Sequence, residues 1–244
     1  MQQRAAKIGM NRTGIQLAPE GAQAMLEAVR EFQGDAGPPA LDAPAIGQLR
    51  AEQGRDADRV GSVPPPGSLR GLVTTGVQKI AGKSPELLLD KLAERLAFER
   101  SGVRLYTAFL DKCRAAGDAS RIPIAEVEHI REEELDHFHL LDECITSLGG
   151  DPTVQTPCAD TAAVMSMGVV QVLTDPRTSI AAGLEALLTA ELVDNASWDL
   201  LIELAREAGQ EELVTRFEEP RMHEAEHLEK VRDWLRSALI DEAG

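Results

Sequence analysis

Four segments of the chain repeat apolar residues in alternating steps of three and four, which places those residues along one stripe of an α-helix. Each stripe is apolar at both ends and carries acidic or histidine side chains near its middle. In chain order, the interrupting residues are Glu99, Glu134, His137, Glu191, Asp194, Glu224 and His227. Because they share the phase of the leucines, we expect these residues to point into the helical core.

Local signals bound the four helices. Ser84-Pro85 and Asp175-Pro176 each join a capping side chain to a proline at the first helical position. Gly117, Gly149 and Gly209 follow helix-forming segments and are typical of helix ends. The predicted helices span residues 84–117, 122–149, 176–208 and 210–241.

The connection between the second and third helices, residues 150–175, is long and contains a predicted short helix at 161–173. Two helical hairpins joined by a long crossover form a known bundle topology. No segment shows the strict alternation of apolar and polar residues that indicates a β-strand. We therefore predict an all-α four-helix bundle over residues 83–244, with the crossover between its second and third helices.

Residues 1–82 differ in composition from the rest of the chain. Proline-rich runs at 38–44 and 62–68 lie among many Gly, Ala and Asp residues, and such stretches bury too little apolar surface to offset the entropy cost of ordering. We predict a Pro/Gly-rich N-terminal extension that is flexible or partly helical, with short amphipathic segments at 20–32 and 68–80.

Composition and charge exclude several classes of protein. The chain has 25 basic and 41 acidic residues and a net charge of −16, so we expect no nucleic-acid partner and no membrane partner. No apolar run approaches the ~18 residues of a membrane span, and no apolar core follows the N-terminal charges as it does in a secretory signal. Cys113, Cys144 and Cys158 are too few and too scattered for a disulfide scaffold. We expect a cytoplasmic protein.

The carboxylates on the stripes need compensating positive charge. Burying an unpaired carboxylate costs several kcal/mol, and five of them interrupt the four stripes. No Lys or Arg lies on any stripe to offset them. Two divalent metal ions would supply the charge, with two neutral histidines completing the coordination. The same desolvation cost disfavours a purely structural bundle.

The Glu-x-x-His pattern occurs three times, and helical phase separates the copies. Glu134-Leu-Asp-His137 and Glu224-Ala-Glu-His227 lie on inward stripes, where the i, i+3 spacing puts carboxylate and imidazole on one helix face. Glu126-Val-Glu-His129 flanks its stripe, so we predict that this copy is solvated. His139 and His223 also fall off the stripes and are expected at the surface or behind the ligands.

The order Glu, Glu-x-x-His, Glu, Glu-x-x-His along four in-phase stripes resembles the ferritin-like superfamily of di-iron carboxylate proteins. Glu99 and Glu134 are 35 residues apart and Glu191 and Glu224 are 33 apart, so the two halves look like a pseudo-repeat. The match covers residues 84–244. It implies a ferritin-like fold and two bound iron ions, with manganese as an alternative. The ligands implied by the resemblance are terminal Glu99 and Glu191, bridging Glu134 and Glu224, and one histidine per metal, His137 and His227.

Three further residues bear on this resemblance. Asp194 stands one turn beyond Glu191, where rubrerythrins carry an additional Glu ligand, and its shorter side chain leaves open whether it binds through water or only orients a histidine. Tyr106 follows Glu99 by seven residues, where ferritins and rubrerythrins place a tyrosine near the metals. It is the candidate catalytic residue, as an electron or proton donor, and ordinary core packing is the alternative. Pro220 on the fourth stripe predicts a kink or a π-bulge.

The resemblance implies a protein that reacts with dioxygen or hydrogen peroxide, of the rubrerythrin-like peroxidase or ferroxidase type. The sequence has no rubredoxin-like pair of CxxC motifs, so we expect turnover to need an external electron donor. Iron binding or storage without turnover and a manganese catalase-like activity use the same ligand types and stay open. Members of the superfamily often pair, so a homodimer is expected.

Overall fold

The structure of the chain is a computed structural model that describes residues 43–58, 60–64 and 85–243, together with four residues near the N-terminus, Gln23, Glu27, Arg30 and Glu31. Those four are helical, and they fall within the amphipathic segment predicted at 20–32. The segment predicted at 68–80 lies outside the described residues. Contacts divide the chain into two compact units, Met1–Asp58 and Arg59–Gly244, and the domain boundary after residue 82 stays a prediction.

The first unit contains a helix that the sequence reasoning missed, α1, at Ala43–Asp56. The segment is rich in Ala, Leu, Arg, Glu and Gln, all strong helix formers. Near its end, the Arg55 Nε donates a hydrogen bond to the Ala51 carbonyl at 3.3 Å. Intrinsic propensity was therefore the available signal, and the neighbouring prolines obscured it.

The second unit is built from helices, and no β-strand occurs among the residues that the structure describes. The all-α prediction is confirmed. The helices are α2 (Pro85–Ala116), α3 (Ile124–Ser147), α4 (Pro157–Thr174), α5 (Ile180–Glu207) and α6 (Glu211–Ala243). A 3₁₀ turn at Gly117–Ser120 follows α2.

Helix α5 begins later than the sequence predicted, and the assignment of Asp175-Pro176 as its start is wrong. The N-cap is Ser179, whose hydroxyl accepts a hydrogen bond from the Ala182 backbone N–H at 3.1 Å. The Asp175 carboxylate instead accepts hydrogen bonds from the backbone N–H and the guanidinium of Arg177. The local turn that Asp175 forms with Arg177 competes with helix initiation, so the cap passes to the next suitable side chain.

The predicted helix ends at Gly149 and Gly209 are confirmed. Both glycines have positive φ angles, 81° and 73°. After α3, the N–H of Gly150 bonds to the Ile145 carbonyl at 2.9 Å, and after α5 the N–H of Gln210 bonds to the Ala205 carbonyl at 2.9 Å. This left-handed closing turn satisfies the last helical carbonyls and needs a residue without a Cβ.

The four long helices form a closed set of neighbours. Helix α2 packs against α3 and α5, and α6 packs against α5 and α3. Helix α4, within the long connection, packs against α2 and α5. Each long helix therefore turns one face toward the same central space, which is where the interrupted stripes were predicted to meet.

That central space has a polar middle between two apolar clusters. One cluster includes Phe109 and Leu187, and the other includes Leu92 and Trp198, with all four side chains fully buried. The acidic and histidine residues of the stripes lie between the clusters along every long helix. Burial of the apolar ends therefore holds the polar layer at a fixed height inside the protein.

Helix α6 continues through Pro220 as an α-helix, and the predicted π-bulge does not form there. In the described part of the chain, no helix has the length and the apolar character that crossing a membrane requires. The three cysteines are free thiols.

Candidate metal centre

The structure brings all the predicted site residues into one buried layer. Each side chain that the stripes supplied is at most 3% exposed. They come from all four long helices: Glu99 and Tyr106 from α2, Glu134 and His137 from α3, Glu191 and Asp194 from α5, and Glu224 and His227 from α6. A buried layer this rich in charge needs a partner for every carboxylate.

Glu224 lies at the centre of the layer, between the two histidines. Its Oε1 is 2.8 Å from Nδ1 of His137, and its Oε2 is 3.3 Å from Nδ1 of His227. Glu99 approaches the first histidine, with Oε2 at 3.7 Å from Nδ1, and Glu134 approaches the second, with Oε1 at 3.8 Å. Each oxygen of the Glu224 carboxylate thus faces a different histidine.

The potential ligand atoms form three overlapping groups, and within each group the atoms lie within 4.8 Å of one another. Glu224 belongs to all three groups and Glu134 to two. The groups are Glu134, Glu191, Glu224 and His227; Glu99, His137 and Glu224; and Glu99, Glu134, Asp194 and Glu224. Buried Glu and His side chains at this spacing could hold a metal ion.

Several atoms that face one another in this layer have no hydrogen-bond partner. They are Glu99 Oε2, Glu134 Oε2, Glu191 Oε2, His137 Nδ1 and Glu224 Oε1. His137 Nδ1 and Glu224 Oε1 make no hydrogen bond, but they lie 2.8 Å apart, which is an ion-pair distance when the histidine is protonated. An unmade hydrogen bond in a buried layer costs about 1–3 kcal/mol. A bound metal ion can satisfy oxygen and nitrogen atoms that lie close together without hydrogen-bond partners.

Burial and neighbouring charges shift the pKa values of the carboxylates in this layer in different directions. Burial, then the neighbouring Glu224 and Glu99 charges, raise the pKa of Glu134 well above its ordinary value. Burial and the Glu224 charge raise the pKa of Glu191 to about 8. Burial acts on Glu224 in the same direction, but its contacts with His137 and His227 outweigh burial and lower its pKa. Like charges in a dry space therefore force some of these groups to keep protons when metal is absent.

The outer nitrogen of each histidine meets a group that the sequence reasoning did not select. His227 Nε2 lies 2.9 Å from Oε2 of Glu133, and this contact with His227 lowers the pKa of Glu133. His137 Nε2 lies 3.2 Å from Nδ1 of His223. Such outer partners fix the ring orientation of a metal-binding histidine. His223 was predicted to lie at the surface or behind the ligands, and it lies behind His137.

The expectation that no basic side chain offsets the carboxylates is wrong. Arg95 is only 2% exposed, and its Nη2 donates to Glu99 Oε1 at 2.7 Å and to Asp194 Oδ1. Burial lowers the pKa of Arg95, but the Asp194 and Glu99 charges outweigh it and raise that pKa. Arg95 precedes Leu96 on the stripe by one position, and its long side chain carries the guanidinium into the layer from the flank.

Tyr106 lies beside two of the predicted ligands, Glu191 and His227. Its hydroxyl donates a hydrogen bond to Glu191 Oε1, and its ring centroid is 6.4 Å from that of His227. Burial, together with the Glu191 charge, raises the pKa of Tyr106 well above its ordinary value, so the hydroxyl keeps its proton. Its neutral hydroxyl is therefore within hydrogen-bond reach of one candidate ligand.

In the Glu-x-x-His copy that was predicted to be solvated, His129 is exposed and Glu126 is partly buried. The His129 side chain is 61% exposed, and His139 is exposed as well. A surface cavity of about 290 Å³ reaches His137, and its walls include His223, Asp136 and Pro220. Among the predicted ligands, only His137 lines this cavity.

Two more residues shape the layer without being ligands. Asn195 Nδ2 donates to the backbone carbonyls of Glu191 at 3.0 Å and Glu224 at 2.8 Å, which ties α5 to α6 at the level of the centre. Gly102 leaves room for a ligand, because a Cβ at this position would lie 1.9 Å from Glu134 Oε2. No stripe argument selects either residue, since both act across helices.

Replacing Gly102 with Ala should weaken metal binding while the protein stays folded. The new methyl group would displace the end of a flexible Glu134 side chain, and alanine favours the helix by up to about 1 kcal/mol over glycine. We expect a loss of about 10- to 100-fold in affinity for Fe(II), the range that displaced supporting groups give. Anaerobic Fe(II) titration measures it. Gly168→Ala is the control, because nothing lies within 4 Å of a Cβ there; equal affinity for both variants would contradict the prediction.

Raising the pH should destabilise the metal-free protein. Burial lowers the pKa of each buried histidine, but the contacts of His137 with Glu224 and Glu99 and those of His227 with Glu133 and Glu224 outweigh it and raise both values from 6.5 to about 10. The folded state then binds more protons than the unfolded chain, so the free energy of unfolding falls as the pH rises across this range. Glu191 acts in the same direction between 4.5 and about 8.

Thermal unfolding in the presence of a chelator, at about pH 7 and about pH 9, measures this loss, which should be on the order of a few kcal/mol. His227→Gln should flatten the dependence, whereas His129→Gln, at the exposed histidine, should leave it unchanged. Metal binding should release protons and should also reduce the pH dependence of the free energy of unfolding. A metal-free protein whose stability is constant or rises over this range would contradict the prediction.

The ligand types narrow the choice of metal. The three groups offer carboxylate oxygens and imidazole nitrogens without a thiolate, a set that disfavours metals that prefer soft sulfur ligands, such as Cu(I). Comparisons with protein-family models, with curated proteins and with solved structures found no match to this chain. The chemistry of the centre therefore follows from its own residues.

Proposed function

We propose that this chain is a di-iron carboxylate protein of the ferritin-like type, a four-helix bundle that reacts with dioxygen or hydrogen peroxide as a rubrerythrin-like peroxidase or ferroxidase. The observation that carries the proposal is the convergence of two inward Glu-x-x-His motifs and two further glutamates on one buried layer. The unpaired oxygens and nitrogen in that layer support a metal role, because a structural ion-pair network would satisfy them.

The residues divide into two sets around the shared carboxylate Glu224. His137 and Glu99 would hold one ion, while His227 and Glu191 would hold the other. Glu134 shares one ligand group with His227 and another with Glu99, and it would help Glu224 to hold the two ions. Two iron ions held there would supply the electrons that reduce dioxygen or hydrogen peroxide. An external electron donor would be needed for repeated turnover.

The chain's own residues define how that chemistry is controlled. Tyr106 holds a proton at its hydroxyl and donates it in a hydrogen bond to Glu191 Oε1, which orients this carboxylate while its Oε2 stays without a partner. A cavity lies beside His137, and the apolar clusters above and below the layer exclude bulk water. These features favour a small oxidant over a bulky organic substrate.

The direct test is the metal content and reactivity of anaerobically prepared protein. We expect about two irons per chain and rapid oxidation of bound Fe(II) by dioxygen or hydrogen peroxide, followed by stopped-flow absorbance. Faster oxidation by peroxide than by dioxygen favours the peroxidase type, and single oxidation followed by retention of iron favours storage. Tyr106→Phe should keep the metal content and slow the oxidation. A chain that binds no iron and binds manganese tightly would replace the proposal with a manganese enzyme.

A further inference from the structure

A buried arginine stands at the edge of the candidate centre with a fixed orientation. One guanidinium nitrogen of Arg95, Nη2, donates to both Glu99 Oε1 and Asp194 Oδ1. The guanidinium carbon lies 4.4 Å from the centroid of the Phe98 ring and 5.8 Å from that of Trp198. Two carboxylates and two rings leave this side chain little freedom, so its positive charge is a permanent part of the layer.

The carboxylate oxygens near Arg95 differ in their hydrogen-bond partners. Arg95 occupies Oε1 of Glu99, which leaves Oε2 unpaired and 3.7 Å from His137 Nδ1. Each of the four glutamates in the layer has one fully buried oxygen without a hydrogen-bond partner, and neither oxygen of Asp194 is in that set. Asp194 is close enough to the glutamates to join a ligand group, and its Oδ1 is held by the same guanidinium nitrogen that binds Glu99.

The charge of the layer matches two divalent ions only if Arg95 is counted. Five buried carboxylates contribute five negative charges, and Arg95 returns one positive charge. With neutral histidines, as metal binding requires, four negative charges remain, and two divalent cations balance them. Without Arg95 the layer would carry one uncompensated negative charge, which is costly in a dry interior.

We propose that Arg95 is a positioning residue that holds Asp194 as its counter-ion, keeps it from binding metal, and turns the free oxygen of Glu99 toward the centre. The centre then has four carboxylate ligands, two histidines and a charge balanced for two divalent ions. This inference rests on the proposed di-iron function. Its consequence is that the Arg95–Asp194 pair sets the reduction potential of bound iron through charge, without contributing a ligand.

The test uses the full chain with Arg95→Met, Asp194→Asn and the double variant, each loaded anaerobically with Fe(II). Arg95→Met removes a positive charge and should shift the midpoint potential to more negative values, because the oxidised ions gain stability. Asp194→Asn removes a negative charge and should shift it to more positive values. The double variant has the same net charge as the parent and should return toward the parental potential. All variants should hold as much iron as the parent.

Two further variants separate charge from position. Arg95→Lys keeps the charge but has one ammonium in place of the planar fork, so we expect a near-parental potential with an altered absorption spectrum of the oxidised iron. Arg104→Met, at an exposed position on the same helix, should change neither quantity. If a single variant fails to fold, the double variant carries the test, because it removes both members of the buried pair.

Three outcomes would overturn the inference. Asp194→Asn that binds less iron than the parent would show that Asp194 is a ligand. A double variant with a potential as negative as that of Arg95→Met would show that charge balance does not operate. A parent chain that binds no iron would overturn the proposed function and this inference with it, whereas the first two outcomes leave the di-iron function in place.

Discussion

Replacing either His137 or His227 with alanine should weaken Fe(II) binding by more than about 100-fold, because each metal loses its only nitrogen ligand and loss of an outer partner alone costs up to that factor. The two rings face opposite oxygens of Glu224, so each substitution should affect one ion first. Metal content measured after anaerobic loading and desalting should fall from about two per chain to about one or fewer.

The matched control for these variants is His129→Ala. This histidine belongs to the out-of-phase copy of the same motif and is 61% exposed, so its loss should leave the metal content unchanged. His139→Ala, also exposed, serves as a second control. Two metals retained at parental affinity in either His137→Ala or His227→Ala would show that the assignment of the ligands is wrong.

Replacing Glu191 with leucine, together with Tyr106→Phe, should stabilise the metal-free protein and abolish its stabilisation by metal. Burial raises the pKa of Glu191 to about 8, and its Oε2 has no hydrogen-bond partner. The leucine side chain would make apolar contacts in place of this desolvated carboxyl group. Replacing buried ionic groups in this way can stabilise the folded state by about 1–4 kcal/mol. The tyrosine substitution is needed because the Tyr106 hydroxyl would otherwise lose its buried acceptor.

Thermal unfolding with a chelator should show a rise in Tm of several degrees for a domain of this size, and the gain should grow as the pH rises from 4.5 to about 8 and level off above that pH. Added Fe(II) or Mn(II) should raise the Tm of the parent by mass action and leave that of the variant unchanged. Glu185→Leu, at an exposed position on the same helix, is the control for added apolar surface. A double variant less stable than the parent under chelator would mean that Glu191 belongs to a satisfied structural network.

The helical phase of the stripes predicted the elements and the candidate ligands. A residue on a 3.5-residue repeat must share the face of its leucines, so Glu134 and His137 had to be buried once Ile130 and Leu141 were. The same argument correctly left His129 in solvent. Helix bounds were predicted correctly where a single residue is decisive, as Gly149 is. The bound predicted at Asp175-Pro176 was wrong, because Asp175 bonds to a residue in the following turn and does not cap the helix.

The surroundings of the ligands could not be predicted from helical phase. Arg95, Glu133 and Gly102 sit beside the stripes, and their roles come from contacts with other helices: Asp194 on α5, His227 on α6, and Glu134 on α3. Helical phase indicates which face of its own helix a side chain occupies. It does not indicate how far a long side chain extends or which residues of a neighbouring helix contact it. Helix packing brought these groups together, and it thereby set the charge and the outer hydrogen bonds of the centre.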